Sequence, residues 1–448
     1  MKNAKTTIKS LLYVTLVLGI SAGFTSCKKE GCTDEKAKNY DSKAKKDNGS
    51  CEYDKTTTTP VAKGEVEKTG EIIANETWTS NNIYFLKGRV VVKSGVTLTI
   101  EPGTIIKGKE GLESNASALV ITRGAKIMAV GTAEKPIIFT SELDNITYDQ
   151  LAGTSLKRTD NEKWGGVVIL GYAPISAKDG NTEANIEGLP EEAGIGKFGG
   201  SNSGDNSGEI AYVSIRHGGV TIGEGNELNG LTLGGVGSGT KISNIEIYAT
   251  LDDGIECFGG TVDVSNALVY FQGDDGLDLD MNYAGTIQSF AVIHGDGIAT
   301  DEGFEIDGPE GSTYTSGLFT IKNGYVKALG AEGTPGDFKD KAQGTVTNVT
   351  FDYASATKKD IKLRAKFNGD CSNATDAYKN WIDNKLVFTN CKFAGATAYD
   401  AAATPVCTSE LTVAKSDLAD NLKGTGTGHT FDYKGSFGWT CAGQRGEL

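Results

Sequence analysis

From about residue 239 the chain repeats one pattern: a Gly-Thr step, a strand-length run of alternating or nearly alternating apolar residues, an acidic phrase and a second short apolar run. The copies are GTKISNIEIY from Gly239, GTVDVSNALVY from Gly260, GTIQSFAVIH from Gly285 and GTVTNVTFDY from Gly344, with GLFTIKNGYV from Gly317 as a looser one. Alternation with period two predicts strands. A unit of about 20 to 27 residues holding several strands cannot bury its apolar face alone, so the copies must stack. The prediction is an all-β solenoid, a parallel β-helix. A leucine-rich repeat is excluded because its spaced leucines and Asn are missing. Upstream, GVTLTIEPGTIIKG, ALVITRGAKIMAVGTAEKPIIFTS, WGGVVILGYAPIS and EIAYVSIRHGG read as further strands. Val, Ile, Thr and Leu dominate them, as parallel stacking requires. Residues 144–163 and 178–206 between them are rich in Gly, Asn and Glu and read as loops.

The acidic phrases carry the candidate chemistry. They are Leu251-Asp252-Asp253-Gly254-Ile255-Glu256, Gly273-Asp274-Asp275-Gly276-Leu277-Asp278 and Thr300-Asp301-Glu302-Gly303-Phe304-Glu305, with Asp280 just beyond the second. Their second residues are 22 and 27 positions apart, which places them at one corner of successive coils. After each glycine, alternation turns Ile255, Leu277 and Phe304 into the core and Glu256, Asp278 and Glu305 outward. Carboxylates stacked about 4.8 Å apart repel by roughly 1 kcal/mol in water and about 3.5 kcal/mol at an effective dielectric of 20. Three compensations are open: Asp-Gly turn chemistry with positive φ at the glycines, a bound cation, or use of the paired carboxylates in catalysis. Oxygen-only donors suit calcium, and Asp252, Asp253, Glu256, Asp274, Asp275, Asp278, Asp280, Asp301, Glu302 and Glu305 are its candidate ligands.

Composition and charge narrow the partners. Gly is 60 of 448 residues, which points to many tight turns, and the formal charge of -14 argues against nucleic acid and anionic lipid headgroups. Lys2, Lys5 and Lys9 precede an apolar run, Leu11 to Ile20, too short to span a bilayer and followed by Phe24-Thr25-Ser26-Cys27. This segment, 1–26, resembles a bacterial lipoprotein signal, with Cys27 as the lipidated residue and a membrane anchor as the consequence. Lys28-Lys29-Glu30 resembles the charged tether of surface lipoproteins in some Bacteroidetes. Outside the membrane disulfides persist. Cys32 and Cys51 frame a stretch too small to fold unstapled, so a 32–51 disulfide is expected within a module spanning 27–54. That module resembles a Cys-framed unit of secreted Bacteroidetes proteins; its Asp41, Asp47 and Asn48 are read as turn formers before calcium ligands. Residues 55–69 read as a Thr-rich linker and 70–351 as the β-helix. Residues 352–448, with helical composition at 376–385 and 409–422, read as a disulfide-stapled cap over the last coil. Cys371, Cys391, Cys407 and Cys441 permit three pairings, and Cys257 reads as a small buried hydrophobe.

The strings from Glu101-Pro102-Gly103-Thr104 through ITRGAKIMAVGTAEKPIIFTSELD, WGGVVILGYAPI, LNGLTLGGVGSGT and DDGIECFGGTVDV to FEIDGPEG together resemble a family of secreted, often lipid-anchored bacterial proteins. Its fold is a pectin-lyase-like right-handed β-helix. The resemblance covers roughly residues 70 to 325; it implies that fold and an envelope location, and no settled activity. The order Asp252-Asp253, Asp274-Asp275, His294-Gly295 is also similar to the acidic and His-Gly motifs of polygalacturonases. Yet no Arg-Ile-Lys triplet follows, and aligning the Gly-Thr steps puts His294 in the slot of Tyr248 and Tyr270. A polysaccharide lyase needs calcium and a basic residue, for which Arg216 and Arg123 are candidates. His217 and His429 stand in unrelated contexts and make no zinc site with His294. The sequence thus favours an outer-membrane lipoprotein at the cell surface with a binding or structural role, a glycan or an envelope protein as candidate partner, and calcium stabilising its acidic corner. A glycoside hydrolase or lyase using Asp252, Asp253, Asp274 and Asp275 is the alternative.

Overall fold

The computed structural model describes residues 29–52 and 63–448, apart from short segments at 192–193, 224–225, 312, 331–332, 373–374, 396–398 and 401–406. Residues 1–26, read above as a signal segment, Cys27 and most of the Thr-rich stretch lie outside the described residues. Two compact units divide at residue 61. In the first, Cys32 and Cys51 form the expected disulfide. Asp41, Asp47 and Asn48 each accept the amide of the residue two positions on, so they act as turn formers.

The second unit is the right-handed parallel β-helix. Twenty-four strands among its described residues form one ladder in which the coil-to-coil pairings are parallel. The long strands Lys241–Tyr248, Asp263–Tyr270, Thr286–His294, Phe319–Ala328 and Gly344–Asp352 form one file; Leu231–Gly234, Ile255–Phe258, Leu277–Asp280, Phe304–Ile306 and Gly336–Phe338 form another. Register places Ile255, Leu277 and Phe304 in one interior column and Cys257, Leu279, Ile306 and Phe338 in the next. All seven are fully buried. Each long strand bends at a residue with left-handed backbone: Asn244, Asn266, Ser289, Asn323 and Asn348, φ 54° to 57°. Asn tolerates this conformation, and its amide links coils, as Asn266 does to Asn244 at 3.4 Å.

The glycines of the acidic phrases serve close approach. Gly254, Gly276 and Gly303 do not have positive φ, contrary to the turn chemistry expected of them. A Cβ at these positions would instead collide with the methyls of Val269, Val292 and Val326.

The β-helix is longer at both ends than its sequence pattern indicates. Its first strand, Gly64–Ile72, begins within the expected linker, 55–69. That strand reads as polar because it is an edge with one face exposed, and Lys68, paired to Glu76, lies over the rings of Trp78 and Tyr84. Beyond residue 351, Ile361–Leu363, Leu386–Thr389 and Tyr399–Asp400 still pair in parallel. Only then does a cap appear: helix Thr408–Asn421, which buries Ala414 and Leu418 against the core. Its staple is Cys371–Cys407, while Cys391, Cys441 and Cys257 are reduced and buried.

Residues 425–448 are not part of an end cap. They run back along the outer face of the long strands. Thr430 binds Asn323, Tyr433 stacks on Tyr325, and Phe437, Cys441 and Ala442 pack on Tyr248, Leu268, Tyr270 and Ile293. Fully buried Glu246 fixes this strap by accepting the amides of Cys441 at 2.8 Å and Ala442 at 3.0 Å.

Overpacking at a coil contact costs about 1 to 3 kcal/mol. Gly276→Ala is therefore expected to lower the thermal midpoint clearly, whereas Gly369→Ala, in open space, leaves it within error. Thermal denaturation of both variants checks this.

Candidate functional site

One outward register position carries Glu256, Asp278, Glu305, Asp337 and Lys362 on successive coils. The corner before it brings in Asp252, Asp253, Asp274, Asp275 and Glu302. The predicted column therefore exists, and its two halves differ. Downstream, the chain supplies its own cations: Lys339 pairs with Glu305, Lys362 lies 2.7 Å from Glu302, and Arg364 binds Asp337 at 2.8 Å. Upstream, no Lys or Arg among the described residues forms an ion pair within 4.0 Å of Asp252, Asp253, Glu256, Asp274, Asp275, Asp278 or Asp280; Lys339, bound to Glu305, acts on Asp278 and Asp280 only at longer range. These cations were not identified from the sequence, although Lys362 and Arg364, two apart in a strand, share a face.

The upstream carboxylates are close. Oxygens of Asp253, Glu256 and Asp278 lie within 4.8 Å of one another, as do those of Asp275, Asp278 and Glu305 and those of Asp252, Asp253 and Asp274. Two of these residues also brace the backbone. Asp253 Oδ1 accepts the amide of Asp275 at 2.9 Å, and Asp275 Oδ1 accepts that of Glu302 at 2.6 Å. Asn229 donates to Glu256. Asp278 Oδ1 is buried with no hydrogen-bond partner. Burial first, then mutual repulsion, holds Asp253, Glu256, Asp275 and Asp278 well above the ordinary carboxylate range. The same causes push Asp252 up to about 7 and Asp274 to about 6. Burial and the charge of Glu310 take Asp280 to about 6. Asp252, Asp253, Glu256, Asp274 and Asp280 line a hollow of about 320 Å³, together with Asn229.

The remaining candidates are elsewhere. Asp301 is exposed and lines a neighbouring hollow with Thr300 and Lys358, and Glu302 is buried against Lys362. His294 is fully buried and faces the coil interior. Its Nδ1 meets Gln272 and Thr300, its Nε2 meets the Tyr353 hydroxyl at 2.8 Å, and burial lowers its pKa to about 3. It is therefore separated from the outward carboxylates, contrary to the His-Gly reading. The Gly-Thr alignment is also off by one at this strand, because Tyr270 pairs with Ile293. Arg216 is fully buried, bound to Ser214 and the Leu151 carbonyl beside Glu246, and Arg123 binds Glu183 and the Gly199 carbonyl. Neither arginine lines the hollow.

A family model described as a pectate-lyase-like beta helix domain matches residues 70–440, most of the chain. The chain belongs to that family. No curated protein and no solved structure matches it. Membership in the pectate-lyase-like family accounts for the coil and does not assign the chemistry of the acidic corner, since one fold hosts many activities.

Carboxyls held above their ordinary range by folding stabilise the fold fully below the unfolded pKa, and that stability is lost as pH rises through the folded pKa. With chelator present, the thermal midpoint is expected to fall between about pH 4 and 7, with Asp274 and Asp252 titrating near 6 and 7. Asp278→Asn is expected to make the fall shallower. Scanning calorimetry across that range checks both.

Proposed function

We propose that this protein is an outer-membrane lipoprotein, anchored through Cys27 at the cell surface, whose β-helix binds a glycan or envelope partner along the acidic trench. Calcium held by Asp253, Glu256 and Asp278 stabilises that trench. The observation that carries this reading is the asymmetry of the column. Where lysine and arginine neutralise it the carboxylates are paired, and where they do not, Asp278 Oδ1 is left buried without a partner. A hard dication with oxygen ligands supplies the missing charge and turns repulsion between coils into a crosslink. The leader pattern, with Cys27 at its end, supports the envelope placement.

Family membership and the near-neutral titration of Asp252 and Asp274 favour one second reading, a polysaccharide-active enzyme. The geometry favours it less. Oxygens of Asp252, Asp253 and Asp274 within 4.8 Å leave no room for the water of an inverting pair, about 6.5 to 9.5 Å, and would suit only a retaining pair, about 5 to 5.5 Å. His294 is sealed inside, and neither arginine candidate reaches the hollow.

Calcium at 100 times its Kd is expected to stabilise the chain by about 2.7 kcal/mol relative to chelator. The increment should vanish in Asp278→Asn, and a midpoint indifferent to calcium would remove the metal from this account. New reducing ends or unsaturated products from acidic and neutral polysaccharides, abolished by Asp274→Asn, would replace the binding role with the enzymatic one.

A further inference from the structure

The central hollow contains more negative charge than one cation can offset. Seven carboxylates line it, among them Glu187, Glu227, Asp252 and Asp274, and no lysine or arginine does. Fully ionised, the seven would leave a formal excess of five beside one dication, in a concave site where field lines concentrate, and the protons that the buried carboxyls otherwise hold are what a cationic ligand displaces. A polyuronate, the polymer that the family's description evokes, would enter against that field.

A second observation specifies the kind of ligand atom required. Asn229, 4% exposed, lines the same hollow. Its Nδ2 donates to Glu256 and, at 3.1 Å, to Thr232 Oγ1, which fixes the amide and leaves Oδ1 buried with no partner. The unfilled position at Asn229 is an acceptor, so the ligand group that meets it must be a donor. The hollow also shares Asp274 with one neighbouring cavity and Glu187 with another, which gives an oligomer adjacent hollows to reach.

We propose that the trench recognises an amine-bearing glycan, an oligomer of hexosamine units with free amino groups, whose ammonium and hydroxyl groups donate to the rim carboxylates and to Asn229 Oδ1. This rests on the reading of the trench as a ligand site. It does not require the metal. Charge attraction sets the on-rate and its salt dependence, and the buried acceptor selects for a donor group.

The test is calorimetric titration of the full chain at pH 6, in calcium and again in chelator, with three hexamers: glucosamine, N-acetylglucosamine and galacturonate. The glucosamine hexamer is expected to bind at least tenfold more tightly than its acetylated form and to weaken as salt rises. It should lose at least tenfold in affinity in the double variant Asp252→Asn and Asp274→Asn, with the thermal midpoint reporting that the variant is folded. The galacturonate hexamer should give no heat. Equal affinity for the free and acetylated oligomers, preferential binding of galacturonate, or no binding of any hexamer overturns the proposal. Calcium stabilisation without amine-selective binding overturns this inference alone, and amine-selective binding in a chain whose midpoint is indifferent to calcium removes only the metal from the preceding reading.

Discussion

In-register parallel stacking is the constraint on which everything else in this molecule depends. Each outward position meets its counterpart one coil on, about 4.8 Å away. For apolar, amide and backbone groups this repetition is favourable: interior columns such as Ile255, Leu277 and Phe304 interlock, and the asparagines at the bend link coil to coil. For carboxylates it is unfavourable, at about 3.5 kcal/mol per neighbouring pair at an effective dielectric of 20. A chain that repeats an acidic corner must offset that cost locally.

The molecule does so differently along its length. From Glu302 onward the offset is built in, through Lys339, Lys362 and Arg364. Between Asp252 and Asp280 no ion pair does so, Lys339 reaching Asp278 and Asp280 only at longer range, and the carboxyls there bind protons more tightly than usual while one oxygen of Asp278 has no partner. Backbone bracing by Asp253 and Asp275 explains one oxygen of each and leaves the rest of the cluster unexplained. The strap adds a separate constraint: by burying Glu246 under residues 441 and 442 it ties the C-terminal segment to coils at the middle of the solenoid.

Much of the fold was legible because period-two alternation and a repeated phrase are local signals. The column was legible for the same reason: register follows from placing three Gly-containing phrases on one corner. What was not legible required knowledge of neighbours. The role of Gly276 is set by Val292 on the adjacent coil, and that of Lys362 by Glu302, sixty positions away. Residues 64–69 resembled a linker because an edge strand has only one buried face. The strap was invisible because its apolar residues, Phe437 and Ala442, follow no repeat. His294 matched a motif by order in the chain, but its side chain faces the interior.

The central claim, that a cation completes the upstream half of the column, is tested most directly by crystals soaked in a lanthanide, a calcium substitute with strong anomalous scattering. The account predicts an anomalous peak among Asp253, Glu256 and Asp278, with none beside Glu302 and Asp337, where Lys362 and Arg364 already supply the charge. No peak at the upstream triad, with its carboxyl oxygens in short proton-sharing contacts, would contradict it.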